Sequence, residues 1–212
     1  VWASENTRES IFDALRRAVT YATSGTRIRL RVFGGWQYAE ELLRDPGYLP
    51  AAYAGGVPMG GDLPARPADA TAPHFLIRAA RDPDGANLDR VQVIKGWLGP
   101  DGRHLEKIFD VAWGGDRAID PATGKLPPVG STVDVPAATY QNTIGAAELD
   151  VLWTDPEFDP ATPAFYYVRV LEIPTPRWST YDAHVLKVDA PDPKVLQERA
   201  FSSPIWYSPR AG

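Results

Sequence analysis

Cysteine is absent from all 212 residues, which excludes disulfides, thiolate zinc sites and a cysteine nucleophile and leaves the redox compartment open. Histidine is scarce: His74, His104 and His184 are too scattered to form an H-x-H or H-x-x-x-H pair, so no complete metal centre is expected within the chain. No apolar run reaches roughly 18 residues, so no membrane span is expected. The N-terminus lacks the charged-then-apolar pattern of a signal peptide and opens Val1-Trp2-Ala3 without an initiator Met, as a piece of a longer protein does. A periplasmic or secreted parent remains open. Nor does a basic stripe interleave with aromatics: 22 Lys and Arg stand against 27 Asp and Glu, a net charge of −5, and nucleic acid is not an expected partner.

What the chain does have is punctuation. Its 21 prolines and 18 glycines fall between short apolar runs, the signature of a mainly β protein with many turns and long loops. One helix is expected, from about Thr7 to Val19, with Asn6 as its cap, Glu9 in capping-box position and an apolar stripe through Ile11, Phe12, Leu15, Ala18 and Val19. Arg27 to Phe33 then alternates polar and apolar with period two, placing three arginines on one face of a strand. Residues 34–71 read as a long ordered loop with a helical turn or two at Ala39 to Leu43. Strands resume at His74 to Ala80, Leu88 to Lys95 and Leu105 to Ala112, separated by the turns Asp82-Pro-Asp-Gly85 and Gly99-Pro-Asp-Gly102, and a β-meander fits these three. Weaker strands are expected at Thr132 to Val135 and Ala147 to Trp153. Seven or eight strands at this spacing point to an antiparallel sandwich.

The densest information lies between the strand-like runs that start at Phe165 and end at Tyr207. Glu172 to Val185 is a long excursion carrying Arg177, Trp178, Tyr181 and Asp182, more than a turn needs. Arg177 offers a planar fork for phosphate or carboxylate, and Trp178 and Tyr181 offer aromatic walls. Equally, the aromatics staple the loop to the sandwich while Arg177 pairs with Asp182 or Glu172. The segment Thr20 to Arg27 places hydroxyls, Thr23 among them, and Arg27 after a helix end; its structural reading is a simple turn. The acidic turns at Asp82, Asp155 and Asp189 lack the spacing of a calcium loop, and the glycine pairs at 34–35, 55–56 and 60–61 lack that of a phosphate cradle. Seven tryptophans allow a second function, a non-catalytic sandwich that binds carbohydrate or another chain through exposed Trp36, Trp97 and Trp178.

Longer motifs carry a resemblance: Asn6-Thr-Arg-Glu-Ser-Ile-Phe-Asp-Ala-Leu15, Tyr21-Ala-Thr-Ser-Gly25, Phe33-Gly-Gly-Trp36, Gly56-Val-Pro-Met-Gly-Gly-Asp62, Asp82-Pro-Asp-Gly-Ala-Asn-Leu-Asp89, Gly96-Trp97, Leu171-Glu-Ile-Pro-Thr-Pro-Arg-Trp178 and Ser203-Pro-Ile-Trp-Tyr207. Over nearly its whole length the chain resembles the C-terminal part of bacterial proteins of the domain-of-unknown-function family 3604, itself similar to the polymerase-and-histidinol-phosphatase (PHP) metal hydrolases. The resemblance implies that residues 1–33 are the helix-strand end of a PHP-like barrel, 34–55 a linking loop and 56–212 an immunoglobulin-like sandwich. It also implies that a divalent metal is held upstream in the parent rather than by this chain. By the same analogy the Thr23 to Arg27 turn and the Arg177 to Asp182 loop face that cleft and help hold a small anionic ester.

Overall fold

The described residues are 1–209 of a computed structural model. The first helix, α1 (Arg8–Arg16), is capped one residue later than expected: Thr7 Oγ1 accepts from the Ser10 amide at 3.3 Å. It also stops earlier, because Ala18 turns to a positive φ of 53° and sends Val19 into the core. β1 (Tyr21–Thr23) follows, then β2 (Arg29–Gly35). β2 starts two residues after the expected Arg27, whose amide is diverted to Asp82 Oδ2 at 2.8 Å.

The stretch 34–71 is more structured than the loop expected from its sequence. A 3₁₀ turn (Glu40–Leu43), α2 (Leu49–Gly55) and β3 (Gly56–Pro58) fold back onto β2. The glycine pairs explain themselves here: a Cβ on Gly35 would lie 2.5 Å from the Gly55 carbonyl oxygen, and one on Gly56 2.1 Å from that of Gly34. They serve close backbone approach. The later elements are β4 (His74–Ala80), β5 (Leu88–Leu98), β6 (His104–Trp113), β7 (Glu148–Thr154), β8 (Ala164–Glu172), β9 (Thr175–Pro176), α3 (Trp178–Leu186), β10 (Val195–Leu196), β11 (Arg199–Ser202) and β12 (Ile205–Tyr207).

Two expectations are corrected. Thr132 to Val135 is no strand, since only an isolated bridge, Asp134 to Thr139, forms there. The excursion after Glu172 is not a loop throughout but contains α3, whose buried residues Ser179, Thr180 and Ala183 are small and partly polar, so the segment lacks the apolar stripe that announces a helix.

The ladder pairings are all antiparallel. One sheet runs β1-β11-β8-β5-β6, with β12 sharing the β8 edge; the second runs β3-β2-β4-β7; β9 and β10 form a small ribbon. The expected three-strand meander is therefore a β5-β6 hairpin only, and the Asp82-Pro-Asp-Gly85 connection carries the chain from the second sheet to the first. Period-two burial gives each sheet an apolar face: Leu30, Val32, Phe75, Ile77 and Leu149 from one, Val91, Val93, Tyr166, Val168 and Val170 from the other. These faces meet, with the Phe75 and Tyr166 rings 4.6 Å apart. Leu30 and Val32 of β2 and Trp36 just beyond it all lie in this core.

A smaller apolar cluster, Phe33, Tyr38, Ala52 and Leu76, covers part of the second sheet's outer face beneath α2. Among the described residues no helix is long and apolar enough to cross a membrane.

Candidate functional site

At one end of the stacked sheets, the turns after β1 and β4 meet the end of β8. Tyr166, Val168, Val170 and Glu172 occupy alternate, inward positions of β8, so the last of them carries a carboxylate to a core-facing site. Glu172 is fully buried. Its Oε1 accepts from Thr26 Oγ1 at 2.6 Å, while Oε2 has no hydrogen-bond partner among the described residues. Burial pushes the carboxyl up to about 7; the Thr26 hydrogen bond pulls the other way, and the nearby Glu198 and Asp82 charges add to the rise.

Around this carboxyl the turns are fastened by other acids. Asp82 accepts from the Arg27 amide and, at 3.2 Å, from the Asp84 amide, which together with the Arg27 guanidinium at 3.1 Å hold it below the usual carboxylate range. The Ser24 hydroxyl donates to Glu198 and accepts from the Arg199 amide at 2.9 Å. Gln197 Nε2 bridges the Glu172 carbonyl at 2.8 Å and Asp89 Oδ2 at 3.1 Å, and buried Asp89 faces Arg90 and Arg117 at 3.1 and 2.8 Å. The arrangement can hold a proton on Glu172 near neutrality and keeps the Thr20 to Arg27 turn in one place.

The predicted site residues are only partly gathered. Arg27 is exposed and engaged by Asp82 and Asp84. Thr23, at the end of β1 opposite Ala200, is exposed. Arg177 stands at the N-cap of α3, its guanidinium 5.7 Å from the Trp178 ring. It pairs with no carboxylate among the described residues, so the alternative in which Asp182 or Glu172 neutralises it is not realised. Trp178 is 66% exposed, Tyr181 39%, and Asp182 lies on the same open surface. No hydrogen bond or ion pair joins Arg177, Trp178, Tyr181 or Asp182 to Thr23 or Arg27; the two segments are linked through Thr26 and Glu172. Glu172, Thr26 and Asp82 were not singled out as site residues by sequence reasoning. The signal was the period-two alternation of β8, which puts an acid where an aliphatic residue is expected.

The tryptophans do not form a common platform. Trp36 is buried against Phe158 and Tyr207 with its Nε1 on the Pro64 carbonyl at 2.9 Å, Trp97 is half-buried, and Trp178 is open. A different aromatic surface exists where Phe165 and Trp206, 5.2 Å apart, flank a cavity of about 540 Å³ with Trp97. Among the described residues no group of three or more His, Cys, Asp or Glu is placed to hold a metal ion.

A family model described as "Protein of unknown function (DUF3604)" matches residues 1–209. No curated protein and no solved structure matches the chain.

Proposed function

The chain belongs to the DUF3604 family, and from that premise we propose that it is the C-terminal region of a metal-dependent, phosphoesterase-like hydrolase related to the PHP superfamily. In this reading the metal and the bond-breaking chemistry belong to an upstream domain of the same parent. Residues 1–33 close that domain while lending strands to both sheets here, and the stacked sheets are an immunoglobulin-like sandwich. The part played by this chain is binding. Arg177 meets the anionic oxygen of a small ester with its planar fork, Trp178 and Tyr181 line the approach, and Glu172 positions the Thr23 to Arg27 turn beside them. One observation carries the reading: a guanidinium with no carboxylate partner among the described residues, seated five residues after a buried carboxyl that ties down the Thr23 to Arg27 turn.

The test uses the full-length parent, folded and metal-loaded. With p-nitrophenyl phosphate and bis(p-nitrophenyl) phosphate as substrates, Arg177→Ala is expected to lower kcat/KM about tenfold or more, with Arg177→Lys intermediate, because a charge-assisted hydrogen bond contributes about 1.5–3 kcal/mol. Unchanged kcat/KM in Arg177→Ala would sink the role.

The second function, a carbohydrate- or protein-binding module, is favoured by the Phe165 and Trp206 surface beside Trp97. It predicts that Trp206→Ala abolishes retardation of the chain in gels containing soluble polysaccharide. Equal mobility of wild type with and without polysaccharide removes that version.

A further inference from the structure

The outer face of the second sheet is divided. Phe33, Leu76 and Leu152, directly opposite one another on β2, β4 and β7, lie beneath α2 in the small apolar cluster. Two residues along, the same face carries Arg31 opposite Arg78 and then Asp150, and after them Arg29, Ala80 and Glu148. Like charges directly opposite on a sheet are destabilising unless something neutralises them. Asp150 neutralises Arg78, with Oδ2 2.7 Å from both Nε and Nη2. Arg31 and Arg29 have no carboxylate partner among the described residues.

Two of the three guanidiniums are held by aromatic faces. Arg31 lies 3.7 Å over the Trp2 ring, and Arg78 4.5 Å over that of Tyr48. Trp2 is itself pinned, its Nε1 donating to the Leu30 carbonyl at 2.8 Å, and it stacks on Tyr21. Trp2, Arg31, Tyr48 and Arg78 line a cavity of about 210 Å³ together with Arg29, Glu148 and Asp150, three guanidiniums against two carboxylates. Through Trp2 and Arg31 it adjoins a larger groove of about 820 Å³ whose walls include Leu49, Tyr53, Val57 and Pro58.

We propose that this pocket is an oxyanion site, distinct from the Glu172 end, in which Arg31 and Arg29, beside the Asp150-paired Arg78, hold the phosphate or carboxylate head of a small organic anion whose apolar body lies in the adjoining groove. A planar fork fixed on an aromatic face gives up little rotamer freedom on binding, which suits it to bidentate oxyanion recognition. The excess positive charge supplies the complementarity, and the apolar walls beside it favour an ester or aryl anion over a bare ion.

Isothermal titration of the 212-residue chain at low salt, with phenyl phosphate, benzoate and inorganic phosphate, tests this. Saturable binding of phenyl phosphate or benzoate is expected, weakened by added salt; the tighter of the two identifies the head group, and inorganic phosphate is expected to bind more weakly than phenyl phosphate. Arg31→Gln and, separately, the more exposed Arg29→Gln are expected to weaken binding about tenfold with unchanged thermal stability. Arg103→Gln, at an exposed turn away from the pocket, is expected to leave it intact. Absence of saturation with all three probes, or wild-type affinity in both Arg31→Gln and Arg29→Gln, would overturn the proposal. Inorganic phosphate binding as tightly as phenyl phosphate would overturn the part assigned to the groove.

Discussion

A carboxyl with one bonded and one unbonded oxygen, both out of water, makes Glu172 the residue whose chemistry most depends on pH. Its folded value of about 7 lies above the ordinary 4.5, so between those two pH values the folded state holds more proton than the unfolded one. Stability therefore falls as pH rises from 4.5 through 7 and levels off above. The full excursion of about 2.5 pH units corresponds to about 3 kcal/mol, as an order of magnitude. Glu172→Gln keeps an acceptor for Thr26 and removes the ionisation; denaturant unfolding at pH 5 and pH 8 is expected to show the variant gaining on wild type only at the higher pH. A difference of the same size at both would mean that this carboxyl does not titrate in that window. Asp82 has the opposite sign, since its depressed value contributes stability that disappears as pH falls through it. Of this pair the sequence announced Asp82 only as turn chemistry. The inward carboxylate of Glu172 was legible in the alternation of β8, but its orphaned oxygen depends on which turns close over it, and no local pattern encodes that.

Elements that carry their own alternation and turn residues were the legible ones, although β4 pairs with β7 some seventy residues away. β4, β5, β6 and β7 were each anticipated from alternation and turn residues, whereas α3 was hidden because its buried side is Ser179, Thr180 and Ala183 rather than an apolar stripe. What holds α3 is tertiary: Thr180 Oγ1 donates to the Lys194 carbonyl at 2.7 Å, and the Arg177 amide donates to that same carbonyl at 2.9 Å. Its C-terminus is a weak point. Lys187 takes a left-handed conformation, φ 57° and ψ 44°, with its amide bonded to the Ala183 carbonyl, a position that glycine fills without a Cβ penalty. Lys187→Gly is accordingly expected to stabilise the chain by about 0.5–1 kcal/mol, since the relief of left-handed strain exceeds the added entropy of the unfolded chain. Thermal unfolding measures it, and a destabilised variant would show that the lysine side chain contributes more than its backbone costs.

Which strands share a sheet is a property of the whole molecule, and here sequence spacing was a poor guide: β4 and β5 follow one another closely yet belong to different sheets. Polar groups cross between the two sheets at one place. Lys95, on the inner face of β5, reaches Asp155 just beyond β7 of the opposite sheet at 2.6 Å, and the Tyr166 hydroxyl donates to the same carboxylate at 2.7 Å. Lys95 Nζ also donates to the Glu157 carbonyl, and Asp155 Oδ1 accepts from the Glu157 amide, so both charges are buried and satisfied. Removing one partner strands the other: Lys95→Met is expected to destabilise the fold by about 3–5 kcal/mol. Replacing both, as Lys95→Met with Asp155→Leu, eliminates the uncompensated charge at the expense of the Tyr166 and Glu157 contacts, and is expected to cost clearly less than the sum of the single changes. A double-mutant cycle by denaturant unfolding reads this coupling directly. Additive single and double substitutions would show that the two sheets are registered by their apolar faces alone, with the ion pair a passenger; strong coupling would make it a fixed point against which the Glu172 end and the arginine pocket are both positioned.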